Sequence, residues 1–312
     1  MIAKILKSVA GFPGVRYNTN KVDWNIGELL KVANFGPLQG FTTLRPQDYI
    51  NYLQMLSKLN PNVRKPQFHA VLSAKGQSYN KNELSEIAER WLKEMGYGSQ
   101  PYLVVFHKDT ENNHVHVVTT RVARDGRKID SAYEKIRSVK ALDSVLGYSF
   151  GMQYSFSTKA QFYMVLESLG FPGKDLDPKK LERKINTHRT DRLRASEIKA
   201  LLSLAKNRPD FVDWLRSDRN LELIFHSAEN KTPYGYSIID HQTKSVFKGS
   251  EVLPLKELMN EMELSRRGRE ESSLQHVHTV YVGPVRIADD IDDEAIHGRN
   301  RRRKKKARTN SR

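Results

Sequence analysis

The sequence predicts an α+β fold: a central antiparallel sheet with helices packed on it, followed by a smaller α+β region and a basic, disordered tail. Three observations carry this expectation. Over residues 1–150, short β-branched or aromatic runs alternate with stretches of helical periodicity, giving the order strand, helix, strand, helix, strand, strand, helix. The two consecutive strands are separated by a short polar connection, which favours antiparallel pairing. Past residue 150 the helices and strands are smaller and the cations denser, and from Ser265 onward polar and charged residues dominate.

Taken in order, Ile2 to Leu6 alternates as a first strand, and Gly11-Phe12-Pro13-Gly14 is a turn signal. Val15 to Lys21 follows, with Tyr17 set among polar and basic residues that include Arg16 and Lys21. Residues 22–44 read as irregular, because Gly27, Gly36, Pro37 and Gly40 interrupt any long element. Thr43 to Asn60 is expected to be helical, with Pro46 in its first turn and Tyr49, Ile50, Leu53, Leu56 and Leu59 as its apolar stripe. Gln67 to Ser73 reads as a strand bounded by Pro66 and Lys75-Gly76. Asn80 to Gly96 reads as a helix that Ser78 or Asn80 caps and Gly96 ends, burying Leu84, Ile87, Trp91 and Leu92. Tyr102–Phe106 and Val115–Val118 are the next two strands. Asp125-Gly126 marks a further hairpin turn, and a helix from Ser131 or Ala132 to about Leu146 closes the block.

Beyond it, Thr158–Leu169, Ala195–Lys206 and Asp210–Ser217 read as helices. Leu221–Phe225, Tyr234–Ile239 and Lys244–Ser250 read as three short strands, and a last helix runs from Pro254 to about Glu263. A short strand is expected at Val277–Val282. The expected organisation is a first domain over 1–150, an accessory α+β DNA-binding region over 151–265, and a basic disordered tail over 266–312.

The chain of 312 residues has a formal net charge of +16 and no cysteine. Residues 299–312 hold nine cations and no acid, and without them the remainder still carries +7. A basic body with a basic tail favours a polyanionic partner, nucleic acid before membrane, since the tail lacks the bulky apolar residues of a membrane-surface helix. No apolar run reaches membrane-spanning length, so no membrane insertion is expected. Met1 to Ser8 is too often broken by lysine to be a signal peptide. Without cysteine, disulfide frameworks and thiolate zinc sites are excluded, in keeping with a reducing cytoplasm.

The most informative stretch runs from Phe106 to Val118 and contains three of the ten histidines, as H-x-D-x4-H-x-H. Alternation sets His114 and His116 on one face of their strand, and His107, ending the preceding strand, can lie opposite them. Three imidazoles from adjacent strands leave coordination positions open for substrate oxygens, as a catalytic metal requires. Asp109 could orient one of the rings. Arg121, Arg124, Arg127 and Lys128 follow directly and are candidates for phosphate contacts beside the metal strands.

Three stretches in this order resemble the conjugative relaxases, the mobilisation nickases of the HUH endonuclease superfamily. Val15-Arg16-Tyr17 is similar to that family's first motif, His69-Ala70-Val71-Leu72-Ser73 to its second, and His107-x-Asp109-x4-His114-x-His116 to its third. The likeness covers about residues 1–150, with a weaker one to accessory regions at Phe247-Lys248-Gly249-Ser250. Many relatives carry an asparagine shortly after the H-x-H, where this chain has Thr119, Thr120 and Arg121. The resemblance implies an HUH-type sheet and a tyrosine transesterase that nicks and rejoins DNA at a transfer origin through a 5′-phosphotyrosyl intermediate. It implies Tyr17 as nucleophile, His107 or Asp109 as its activator, and a metal on His107, His114 and His116. The metal would be Mn²⁺ or Zn²⁺ by preference of imidazole, or Mg²⁺ at high concentration. Ser73 would position single-stranded DNA, with Arg16 and Lys21 as further DNA contacts. A bacterial cytoplasm, an accessory mobilisation protein and a coupling protein complete the implied setting.

Three other readings fit part of the pattern. A rolling-circle replication initiator or single-tyrosine HUH transposase would place its tyrosine downstream of the H-x-H, where Tyr133 is the candidate. A DNA-binding protein with structural histidines would use the basic surface without cutting. A phosphoesterase that activates water would need no tyrosine, but usually brings more carboxylate ligands.

Overall fold

The computed structural model describes residues 1–205, 208–227 and 232–259. They form two compact units, one over Met1–Val145 and one that begins at Leu146. In the first unit five strands make one sheet: β1 (Ile2–Ile5), β2 (Gly27–Ala33), β3 (Gln67–Ser73), β4 (Tyr102–His107) and β5 (His114–Thr120). Their order is β1-β3-β5-β4-β2, and every neighbouring pair is antiparallel. The three inner strands are buried along their whole length. That burial explains why they read as near-continuous apolar runs rather than as strict alternation.

Helices cover both faces. On one, α1 (Pro13–Asp23) and α2 (Pro46–Ser57) bring Phe12, Val15, Tyr49, Ile50 and Leu53 together with Phe35 onto Leu103 and Val118. On the other lies α3 (Lys81–Glu94), whose Trp91 stacks on Phe68 at 6.0 Å, with Tyr97 on the same ring at 4.1 Å. Asn80 caps α3 by accepting from the backbone of Asn82 and Glu83, and Glu83 returns the bond to Asn80. The last helix of the unit is α4 (Glu134–Val145).

In the first unit a helix and a strand differ from expectation, and in the second the strand expected at Lys244–Ser250 ends at Lys248, with Gly249 and Ser250 opening a helical turn. Residues 13–23 are a helix, where Gly11-Phe12-Pro13-Gly14 signalled only a turn. Pro13 stands in the first helical turn, where its missing N–H costs nothing and its fixed φ suits the helix. Strand β2 lies within the stretch that read as irregular. Gly27 opens it and a register shift between Leu29 and Lys31 interrupts its alternation, so its period-2 signal is lost.

Arg121, just past β5, is turned inward at 5 % exposure. Its guanidinium pairs with Glu134, donates to the Tyr97 hydroxyl at 3.1 Å and stacks on Phe68 at 5.0 Å. Burial pushes the Tyr97 hydroxyl pKa up, so the phenol stays protonated and donates to Glu134 at 2.8 Å. Glu134→Ala would leave a buried cation without its carboxylate. It is expected to destabilise the unit by about 3–5 kcal/mol, seen as an earlier denaturant midpoint with an unchanged slope.

Among the described residues, the helices of the second unit include α5 (Tyr148–Gly151), α6 (Lys159–Ser168), α7 (Pro178–Asn186), α8 (Arg192–Ala205), α9 (Phe211–Arg219) and α10 (Gly249–Val252). They accompany an antiparallel sheet of β6 (Leu221–His226), β7 (Gly235–Asp240) and β8 (Ser245–Lys248) in sequence order. Ile198, Leu202, Leu215, Ile238 and Phe247 centre its core. Arg194 donates to the fully buried Asp240 at 2.7 Å and ties α8 to β7. Residues 255–259 are helical. The rest of the helix expected to reach Glu263, the strand at Val277–Val282 and the tail 266–312 lie outside the described residues. No helix among the described residues is long and apolar enough to cross a membrane.

Candidate active site and metal centre

The β4–β5 hairpin assembles the site. Its register sets His107 opposite His114 and Val105 opposite His116, so the three imidazoles share one face. Strand β3 sets Ser73 opposite His114 and Val71 opposite His116, which brings His69 to that face as well. His107, His114 and His116 are at most 1 % exposed, and one ring nitrogen of each lies within 4.8 Å of the others. Among the described residues this is the one group of three side chains so placed for a metal ion.

Hydrogen bonds fix which nitrogen of each ring carries hydrogen. The Asn112 carbonyl lies 3.0 Å from His114 Nδ1; a carbonyl only accepts, so Nδ1 donates and Nε2 keeps the lone pair. The Asn18 Nδ2 donates to the Gly14 carbonyl at 2.7 Å, which turns Asn18 Oδ1 toward His107 Nε2 at 2.9 Å. His107 therefore holds its hydrogen on Nε2 and its lone pair on Nδ1. The same Asn18 Nδ2 lies 3.4 Å from His69 Nε2, which makes that nitrogen an acceptor. The 2.9 Å contact between His69 Nε2 and His116 Nδ1 is then donated by His116, leaving the lone pair on His116 Nε2.

His114 Nε2 and His116 Nε2 are buried acceptors with no hydrogen-bond partner. Each such atom costs about 1–3 kcal/mol if nothing meets it. Two such atoms in a cluster whose three rings each offer a nitrogen within 4.8 Å of the others fit a cation of the kind imidazole binds. Burial pushes the His69 pKa down to about 3. Burial, and then the neighbouring His107, His69, His114 and Lys21, hold His116 well below the ordinary histidine range. Near neutrality both rings are uncharged, the state in which an imidazole ligates.

Helix α1 lies across this face. Its close approach depends on two glycines: a Cβ on Gly14 would stand 2.9 Å from His69 Nδ1, and one on Gly27 would stand 3.1 Å from the Lys21 Cβ. The Tyr17 ring is thereby set 5.7 Å from His116, 5.8 Å from His107 and 6.5 Å from His69, centroid to centroid. Lys21, one turn on, places its ammonium 5.4 Å from the Tyr17 centroid and pairs with Asp109 of the hairpin loop. Asp109 Oδ1 lies 4.0 Å from His107 Nδ1.

Of the sequence candidates, Tyr17, Lys21, Ser73, His107, Asp109, His114 and His116 thus converge. Lys21 is 7 % exposed and faces Asp109 and Tyr17 rather than the surface. Ser73 is buried beside His114. Arg16 is on the outer side of α1, donating to Gln47 at 2.5 Å. Arg121, Arg124, Arg127 and Lys128 are not beside the histidines. They follow the opposite end of β5, and Arg121 comes five residues after His116, about 16 Å at the strand rise. Arg121 is buried, Arg124 donates to the Asn34 carbonyl at 2.5 Å, and Arg127 pairs with Asp125 at 2.5 Å. Tyr133, the downstream alternative, precedes Glu134 at that same end and is 81 % exposed.

Asn18, His69 and Asn112 were not among the candidates, although they set the three tautomers. His69 had a signal: it shares strand parity with Ser73, and so with the face His114 occupies. Asn18 had none, because no helix was expected there. His69→Phe keeps a ring of similar size but cannot accept from His116 Nδ1. It is expected to weaken Mn²⁺ binding about 10–100-fold by calorimetry, with the fold intact by circular dichroism.

An antiparallel sheet covered on both faces, with three convergent imidazoles on its central hairpin and a tyrosine helix laid over them, defines a class: an α+β domain whose histidine site could hold a metal. Residues 17–146 match the family model for the relaxase, MobA/VirD2-like, nuclease domain, and this segment belongs to that relaxase family. The match begins at Tyr17 itself and closes just past α4. Residues 17–146 thus carry a relaxase-type nuclease domain. Neither the curated proteins nor the solved structures include a match.

Proposed function

We propose that this protein nicks and rejoins one DNA strand at a transfer origin and so initiates the mobilisation of a plasmid or transposon. The observation that carries the reading is the Tyr17 ring lying 5.7 Å and 5.8 Å from two buried imidazoles of a metal-competent cluster. The Tyr17 oxygen attacks the scissile phosphorus and the P–O3′ bond breaks. The electron pair leaves with the 3′ oxygen, which takes up a proton, and the 5′ phosphate stays esterified to Tyr17. One phosphodiester replaces another, so no nucleotide cofactor is consumed and attack by the 3′ hydroxyl reseals the strand.

A free phenol has a pKa of about 10 and attacks slowly at neutral pH, so Tyr17 needs a proton acceptor. His107 has one lone pair, at Nδ1, because its Nε2–H is held by Asn18. That lone pair serves either ligation or proton transfer. With His107 as a ligand, Asp109 is the acceptor, and the Lys21 ammonium beside the Tyr17 ring favours the phenolate. A divalent ion on His107, His114 and His116 would polarise the phosphoryl oxygen. Nitrogen donors suit Mn²⁺ or Zn²⁺, and oxygen-rich open positions admit Mg²⁺. Ser73 positions DNA beside His114, and Arg16 meets the strand from the exposed side of α1. The 151–265 region is an accessory DNA-binding part. The setting is the bacterial cytoplasm, with an accessory mobilisation protein and a coupling protein as partners.

The test uses a labelled single-stranded oligonucleotide spanning the element's own transfer origin, with Mn²⁺ or Mg²⁺ and an EDTA control. A denaturation-resistant protein–DNA adduct that forms only with metal is expected. Cleavage without an adduct would assign the attack to water and overturn the mechanism; binding without cleavage in any metal would leave only a DNA-binding protein.

A further inference from the structure

At the end of β5 remote from the histidines, the first unit has a cleft of about 400 Å³ walled by Arg64, Lys65, Arg121, Lys128, Ser131 and Glu134. Among the described residues, Glu134 is the only carboxylate in its lining, and it is taken by Arg121. Arg64, Lys65 and Lys128 are exposed and have no carboxylate partner among the described residues. Arg121 Nε is a buried donor with no hydrogen-bond partner. Four cations against one carboxylate, with an unmet guanidinium donor in the wall, leave the cleft both positive and short of acceptors. Among the described residues Val63 is the only apolar one of the lining, and no aromatic ring lines it. The cleft therefore offers phosphate contacts and no platform for a base.

We propose that this cleft binds a backbone phosphate of the DNA strand, as an anchor separate from the histidine site. The choice of DNA rests on the nuclease reading above, and the absence of a base platform argues against a free nucleotide. Arg121 comes five residues after His116, about 16 Å at the strand rise, so the anchored phosphate and the scissile one are different phosphates of the strand. The contact is independent of sequence.

Anisotropy of two labelled single strands tests this on the full chain in EDTA, where nothing is cut: one long enough to span both places, one covering the histidine site alone. Lys65→Ala with Lys128→Ala, both exposed, is expected to weaken the long strand about tenfold and lower its salt slope by about 1–2. Binding of the short strand, and its nicking once metal is restored, should stay within about twofold. Lys65→Arg with Lys128→Arg should restore the long strand. Equal losses on both strands, or no loss on either, would overturn the anchor. Displacement of the long strand by low-millimolar inorganic phosphate at constant ionic strength would overturn the DNA source in favour of a small anion. Wild type that binds neither strand would overturn the nuclease reading along with it.

Discussion

Tyr17→Phe is expected to abolish the covalent protein–DNA adduct and to lower nicking by at least about a thousandfold, the scale of losing a nucleophile. The substitution removes one oxygen and leaves the ring that lies among His69, His107 and His116. Helix α1 is held by Phe12 and Val15 in the core and by the Asn18 bond to His107, none of which involves the hydroxyl. Metal affinity and single-strand binding should therefore match wild type within about twofold, which separates lost chemistry from lost fold. An adduct of undiminished yield in Tyr17→Phe would remove Tyr17 from the mechanism. Tyr133 is the next tyrosine to test, although its place past the far end of β5 makes it an unsuitable nucleophile for the histidine site.

The parts of this site that could be read in the sequence are those where a short-range rule acts. The H-x-H spacing fixes a shared strand face, and the polar run from Lys108 to Asn113 fixes the hairpin, so the convergence of His107, His114 and His116 follows from alternation alone. The helix α3 was legible from its cap at Asn80 to its end at Gly96, where φ is +85°. What escaped depends on tertiary approach. Helix α1 carries mostly polar residues, and its place over the sheet depends on Gly14 meeting the side chains of Gln67 and His69, more than fifty residues further along the chain, and on Gly27 meeting Lys21. The register of β3 on β5, which brings His69 to His116, is a long-range pairing that no local pattern states. Direction along the strand mattered equally: Arg121 to Lys128 follow the histidines in sequence, yet β5 carries them to its opposite end.

His116→Leu is expected to separate stability from function. Without metal, wild type buries the His116 Nε2 lone pair with no partner, and its ring stacks on His107 at 4.1 Å. Leucine has a similar volume and removes that unmet acceptor. The His69 Nε2 loses the His116 donor but keeps Asn18 Nδ2 at 3.4 Å. Metal-free stability should therefore be unchanged or higher by about 1–2 kcal/mol. Added Mn²⁺ reverses the ranking: at a hundred times its Kd it stabilises wild type by about 2.7 kcal/mol through linkage. The variant, reduced to two of three imidazoles, should bind more than about 100-fold more weakly, beyond the loss from a ring that only orients a ligand. At that metal concentration it should gain almost nothing. Nicking should fall with metal occupancy. If Mn²⁺ raises the unfolding midpoints of His116→Leu and wild type equally, His116 is not a ligand, and its buried lone pair would need another explanation. If instead the metal-free variant is several kcal/mol less stable, His116 is chiefly a packing residue, and the cost of its unpaired nitrogen has been overestimated.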